Sequence, residues 1–245
     1  MAGRGHARLV EVNFLLHRSF AGREVGSAHA GVGAMLPDLW RLADRRVRPL
    51  ALPPPAAGDL ALDQILSGVA HHLALDDWFH RSATFTEGER RTAERLVAAS
   101  PATPRLGLFA HLAWELCLDG ALLLRQGRDG LLAGLRRDVA ASTELLDQAV
   151  ERAHFRRKRA DPEARALFAA RMANLIRELL AGTWISAYMT GPGLVEVLDR
   201  IRRRLALPEL SPLERRSLQW AFDELLDEAS AALAELEAAR AANPP

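Results

Sequence analysis

Apolar residues recur every three or four positions through most of this chain, and alternating apolar–polar runs of β-branched residues, the mark of strands, are almost absent. Ala, Leu, Arg and Glu, all good helix formers, fill most positions. The pattern predicts an all-α protein. A first helix is expected over residues 12–21, with Phe14, Leu15 and Phe20 facing inward. Others are expected over 60–81, from about 87 to 99, and from about 105 to 126. Two or three longer helices should follow, broken near 127–130, Asp161-Pro162, Gly191-Pro192-Gly193 and 207–212. Gly22, Gly26, Gly31 and Gly33 predict turns ahead of MLPDLWRLADRR, and the three successive prolines within 49–59 predict a loop. Ser211-Pro212 reads as a helix cap followed by proline at the first helical position. With no internal repeat and no break in composition, residues 12–240 are expected to form a single all-α bundle, with 1–11 as a flexible arm and 241–245 as a frayed tail.

Composition narrows the partners more than the fold. A chain of 245 residues, 49% hydrophobic and 26% charged, is ordinary for a soluble globular protein. The net charge of +1 and an aromatic content of 6% argue against nucleic acid, which needs a basic field and a stacking surface. The single Cys117 excludes an intrachain disulfide framework and thiolate zinc cages, so a cytoplasmic location is expected. Apolar runs are interrupted by charge before the ~20 residues of a membrane span, and the N-terminus lacks a secretory pattern. There is no Gly-rich phosphate loop, no G-x-S-x-G elbow and no Cys–His nucleophile motif.

The candidate chemistry is a ladder of histidines and acids. His72, Asp76 and His80 step by four in GVAHHLALDDWFH, and His111, Glu115 and Asp119 step by four in FAHLAWELCLDG. At that spacing each set lies on one helix face, and two such helices packed together build a metal cage. Imidazole and carboxylate suit a divalent ion, one or two in number: manganese, zinc or iron. Glu115 stands in so apolar a stretch that it requires a partner. His17, at the end of NFLLH, and Asp38, after Pro37 where a turn or a helix cap is expected, complete the proposed ligand set of His17, Asp38, His72, Asp76, His80, His111 and Glu115. Asp119 is placed behind the ligands. His71, a quarter-turn away, is expected to contact substrate, and His71 or His80 is the candidate proton donor to a leaving oxygen. Three basic runs, at 41–48, 154–159 and 200–204, read as solvated faces or as a rim that attracts an acidic or phosphate-rich ligand.

The order of these segments resembles the acyl-carrier-protein phosphodiesterase family. The matching features are Asn13-Phe14-Leu15-Leu16-His17, the GAMLPD segment ending in Asp38, Gly68 with His72 and Asp76, Trp114-Glu115, and Trp184, Tyr188, Gly193 and the helix through Arg204, covering roughly residues 12–236. The resemblance implies an all-α bundle of the HD-like metallohydrolase type. It also implies metal-dependent hydrolysis, with manganese or a similar ion, that releases 4'-phosphopantetheine from an acidic carrier protein. The chain departs from that family by carrying His80 and His111 where acids are usual and Leu116 where a histidine is usual. Its donor pattern is also similar to zinc-dependent phospholipase C, although it lacks that family's N-terminal tryptophan ligand. A non-catalytic helical binding protein and a di-iron oxygenase on an HD-like fold stay open, as does a homodimer through the C-terminal helices (211–240).

Overall fold

The computed structural model describes residues 13–50, 58–101, 103–156 and 161–242. The expected N-terminal arm and most of the proline loop lie outside them. Among the described residues there are ten α-helices and no strand: α1 (Phe14–Glu24), α2 (Ala28–Ala43), α3 (Leu60–Arg81), α4 (Ala83–Ala99), α5 (Leu106–Gln126), α6 (Arg128–Val150), α7 (Pro162–Ala181), α8 (Thr183–Ser186), α9 (Gly191–Arg204) and α10 (Pro212–Ala242). A π turn (Glu151–Phe155) extends α6, and a 3-10 turn (Ala187–Met189) follows α8.

Side-chain caps start the helices where polar residues precede apolar periodicity. Asp59 accepts from Leu62 N–H (3.0 Å), Ser82 from Phe85 N–H (3.1 Å) and Asp161 from Ala164 N–H (2.7 Å). Ser211 and Glu214 form a reciprocal capping box around Pro212, as the sequence suggests. With Ser82 as its cap, α4 begins at Ala83, four residues before the expected boundary. The C-terminal helix continues through Ala242 rather than fraying from 241, anchored by buried Leu233, Leu236 and Arg240; residues 243–245 lie outside the described set.

The glycines of α2 give the main correction to the sequence reading. Gly31, Gly33 and Pro37 lie inside one continuous helix instead of in turns. Their role is tertiary. A Cβ on Gly33 would sit 2.1 Å from the carbonyl oxygen of Ile65, and one on Gly68 would sit 2.1 Å from that of Ala30. The two glycines therefore let the backbones of α2 and α3 touch where they cross, closer than side chains would permit.

α5 is the central helix, in contact with α1, α4, α6, α9 and α10. Its buried residues run all round its surface, from Phe109 to Leu123, which is the pattern of a helix enclosed by others. By length and composition it is apolar enough to cross a membrane, contrary to the sequence expectation, and 78% of that apolar window is buried inside the fold. α10 fills the opposite side of the core with Leu218, Phe222, Leu225, Leu233 and Leu236.

Gly33→Ala and Gly68→Ala are each expected to cost ~1–3 kcal/mol of stability by overpacking. Gly107→Ala, where a Cβ meets nothing within 4 Å, should change stability by less than ~1 kcal/mol. Urea denaturation of the three variants measures this, and a Gly33→Ala midpoint equal to the parent's would contradict the close crossing.

Candidate metal centre

Four helices deliver the predicted donors to one place. α1 carries His17, α2 carries Asp38, α3 carries His72, Asp76 and His80, and α5 carries His111 and Glu115. The crossing at Gly33 and Gly68 lies one turn from His72, so the backbone of α2 comes within reach of that imidazole. His72 Nδ1–H donates to the Ala34 carbonyl at 2.8 Å, which leaves Nε2 as a lone pair facing Asp38 Oδ1 at 3.7 Å. A backbone carbonyl on one ring nitrogen is the usual way a protein orients a metal-binding histidine.

The donors form two abutting groups. In the first, one ligand atom each from His17, His72 and Asp76 lie within 4.8 Å of one another, all three residues being buried. The rings of His17 and His72 are 4.0 Å apart between centroids, and Asp38 beside them is completely buried. In the second, His80, His111 and Glu115 meet the same 4.8 Å criterion. Both imidazoles place Nε2 at 3.3 Å from Glu115 Oε1. Asp76 joins the groups, its Oδ1 being 3.4 Å from His80 Nδ1.

The two groups differ in charge state. Burial, reinforced by the neighbouring His72, holds His17 well below the usual imidazole range, and burial brings His72 down to about 4. Both are neutral at pH 7, the form that binds a cation. In the second group burial opposes charge, but the hydrogen bonds and fields of Glu115 and Glu89 raise His111 to about 10, and those of Glu115 and Asp76 raise His80. Burial pushes Glu115 up, yet the two imidazoles outweigh it and bring the carboxyl down to about 2. The first group thus presents ready lone pairs, while the second is an internal ion cluster that would have to give up protons to hold a cation.

A divalent ion fits this donor set. The oxygens and imidazole nitrogens are of the types that hold zinc, manganese and iron. His17 Nδ1 is buried with no hydrogen-bond partner among the described residues, an expense a structural role does not explain. The buried His/Asp/Glu clusters could therefore hold a metal.

Asp38 borders the first group, whereas Asp119 and His71 stand apart from both. Asp38 sits in the interior of α2, neither at a turn nor at a cap, because α2 continues through Pro37. Asp119 accepts from the N–H groups of Leu15 (3.1 Å) and Leu16 (2.8 Å). It caps α1 from another helix, where Asn13 makes no side-chain cap, and so fixes the helix that carries His17. Burial raises the Asp119 carboxyl while those two amides draw it back. His71 belongs to neither donor group. Its Nε2 is 2.8 Å from Glu24, which is itself gripped by Arg240 (2.9 Å), so it ties α3 to α1 and α10.

Glu89, on α4, was not singled out in the sequence. Its Oε1 is 3.6 Å from His111 Nδ1, on the side of the imidazole away from Glu115. The Trp114 indole packs against Gly88, where an added Cβ would come to 2.0 Å from it, and this close approach of α4 to α5 accompanies the placing of Glu89 beside His111. In the sequence it is one of several acids on a charged helix, with nothing to distinguish it. Of the basic runs, 41–46 and Arg204 gather with Arg171 around a separate cavity that no metal-site donor lines, rather than around this centre.

No known protein family, curated protein or solved structure matches the chain.

The metal-free protein should lose stability as pH falls from 6.5 toward 4. His72 has a folded pKa below its unfolded value, so the unfolded state takes up the proton first and gains in that window. The stabilisation is complete above 6.5. In His72→Gln, melting temperature should fall less steeply over the same range; parallel profiles for the two proteins would refute the assignment of a buried neutral His72.

Proposed function

We propose that the protein is a metal-dependent phosphodiester hydrolase on an HD-like helical bundle, resembling acyl-carrier-protein phosphodiesterase. The observation that carries this reading is the pair of abutting donor groups, joined through Asp76 and His80. Adjacent sites of this kind suit the in-line displacement of an oxygen at phosphorus, where charge develops on both the attacking and the leaving oxygen.

His17, Asp38, His72 and Asp76 would hold one ion, and His80, His111 and Glu115 the second. Bound there, a divalent ion supplies Lewis acidity to a phosphoryl oxygen and to a water. The chain does the rest. The Ala34 carbonyl keeps the His72 ring in the tautomer whose Nε2 faces the donors. The enclosing residues exclude bulk water from His17 and Asp38, which strengthens every charge interaction inside. His80, between Asp76 and Glu115, carries protonatable nitrogens facing both carboxylates, and it is the residue placed to hand a proton to the leaving oxygen when it is not a ligand. Glu89 orients His111 from behind. The substrate proposed is the phosphodiester linking 4'-phosphopantetheine to an acidic carrier protein in the cytoplasm.

Protein purified without chelators should carry about one or two equivalents of manganese, zinc or iron. It should hydrolyse bis(4-nitrophenyl) phosphate and release phosphopantetheine from holo-carrier protein. His72→Gln and Glu115→Gln should each lose metal and at least ~100-fold of activity. Cleavage of a phosphatidyl headgroup in preference to the carrier protein would move the assignment to a phospholipase C-like enzyme. Iron with a visible absorption band and no hydrolysis would move it to an oxygenase. Wild-type protein that binds no added manganese, zinc or iron would leave a helical binding protein.

A further inference from the structure

Nearly every charged side chain on α10 has a partner within the fold. Towards α4, Glu224 and Glu228 pair with Arg95, and Glu235 accepts from Thr84. Towards α9, Arg215 pairs with Glu196 and Asp199, and Asp223 accepts from the Gly191 N–H. Glu214 accepts from the Ser211 N–H, Glu237 holds Arg125, and Arg240 holds Glu24. Two charges are left over. Among the described residues, neither Arg216 nor Asp227 has an ion pair or a side-chain hydrogen bond, and both are exposed.

These two charges lie on one stripe. Leu213, Arg216, Trp220, Asp223, Asp227, Ser230 and Ala234 follow one another at alternating steps of three and four, and all are exposed. That is the spacing of the seam along which one helix packs on another. The N-terminal half of the stripe holds Leu213, 67% exposed, and Trp220, at 75% the most exposed large apolar side chain among the described residues. The C-terminal half holds the small Ser230 and Ala234. Single exposed apolar residues need no explanation. Two on one seam, seven residues apart with an unpaired cation between them, form a face that a second helix can bury.

Size and charge along this stripe complement the same stripe run backwards. Two copies of α10 laid antiparallel, about an axis passing between Ala221 and Phe222, bring each Arg216 to the partner's Asp227 and each Leu213 over the partner's Ser230. The two Trp220 indoles meet near the axis. Parallel helices would set Arg216 against the partner's Arg216 and leave small residues facing small ones. We infer that the exposed face of α10 is the site of a two-fold dimer of this chain, with Trp220 at its centre and an Arg216–Asp227 pair on either side. Complementary groups at mirrored positions of one helix fit a second copy, because a two-fold contact presents the same patch on both sides. An aromatic anchor flanked by charge pairs is the arrangement of a specific interface. None of the metal-site donors lies on α10, so the inference is independent of the hydrolytic reading.

Sedimentation equilibrium of the full-length protein, from about 1 to 200 µM, tests this. A contact centred on one helix from each copy is small, so a passage from monomer to dimer in the micromolar range is expected. Trp220→Ser should weaken association at least ~10-fold. Arg216→Glu and Asp227→Arg should each weaken it ~3- to 10-fold, since one reversal creates two like-charge contacts about the axis, and Arg216→Glu/Asp227→Arg together should restore it. The substituted side chains are exposed, so every variant should keep the helical circular dichroism of the parent, which separates loss of contact from loss of fold. A protein that stays monomeric throughout would overturn the inference and leave the face to a different partner. A dimer indifferent to Trp220→Ser, or one that the double reversal fails to restore, would overturn it by placing the contact elsewhere.

Discussion

The contact of α2 with α3, backbone against backbone, is the constraint on which the donor cluster depends. Two glycines make it, one from each helix, and the separation they allow brings the Ala34 carbonyl to the His72 imidazole. Were either glycine to carry a side chain, the helices would separate by the width of a methyl group. Asp38 would then draw away from His72, and the ring would lose the acceptor that selects its tautomer. Packing and chemistry are the same contact here, so the geometry of the donors is as rigid as the core itself.

Around that crossing, burial produces two opposite electrostatic outcomes within a few ångströms. Where imidazoles face mainly one another, as His17 faces His72, desolvation dominates and the rings are neutral. Where they face Glu115, the ion pair outweighs desolvation and both rings are raised, His111 to about 10. The same residue type is thus set to two protonation states by its neighbours alone. Asp76 connects the two environments and is the acid best placed to pass an effect from one to the other.

The ladder was legible because the helical period is stiff. His72, Asp76 and His80 share a face for the reason the spacing implies, and His71, one residue away, points elsewhere and meets Glu24. The all-α class followed from the same periodicity. What was not legible is tertiary. Gly31, Gly33 and Pro37 read locally as turn formers, and only the presence of α3 explains why the chain stays helical through them. Asp119 continues the spacing of His111 and Glu115, so it reads as another rung, whereas its carboxylate is committed to the amides of α1. Glu89 and Glu24 look like any acid on a charged helix, since their roles are set by partners more than twenty residues away.

The cap on α1 bears on the order in which the molecule can be assembled. α1 lacks a side-chain cap of its own, and its first amides are held by a residue more than a hundred positions downstream. An eleven-residue helix is too short to persist alone in water. During synthesis from the N-terminus, His17 is therefore among the first donors made and among the last to be fixed, waiting until Asp119 has left the ribosome. The donor cluster cannot be complete while only the first half of its ladder exists, and the helix that carries His17 gains its cap only with the second half.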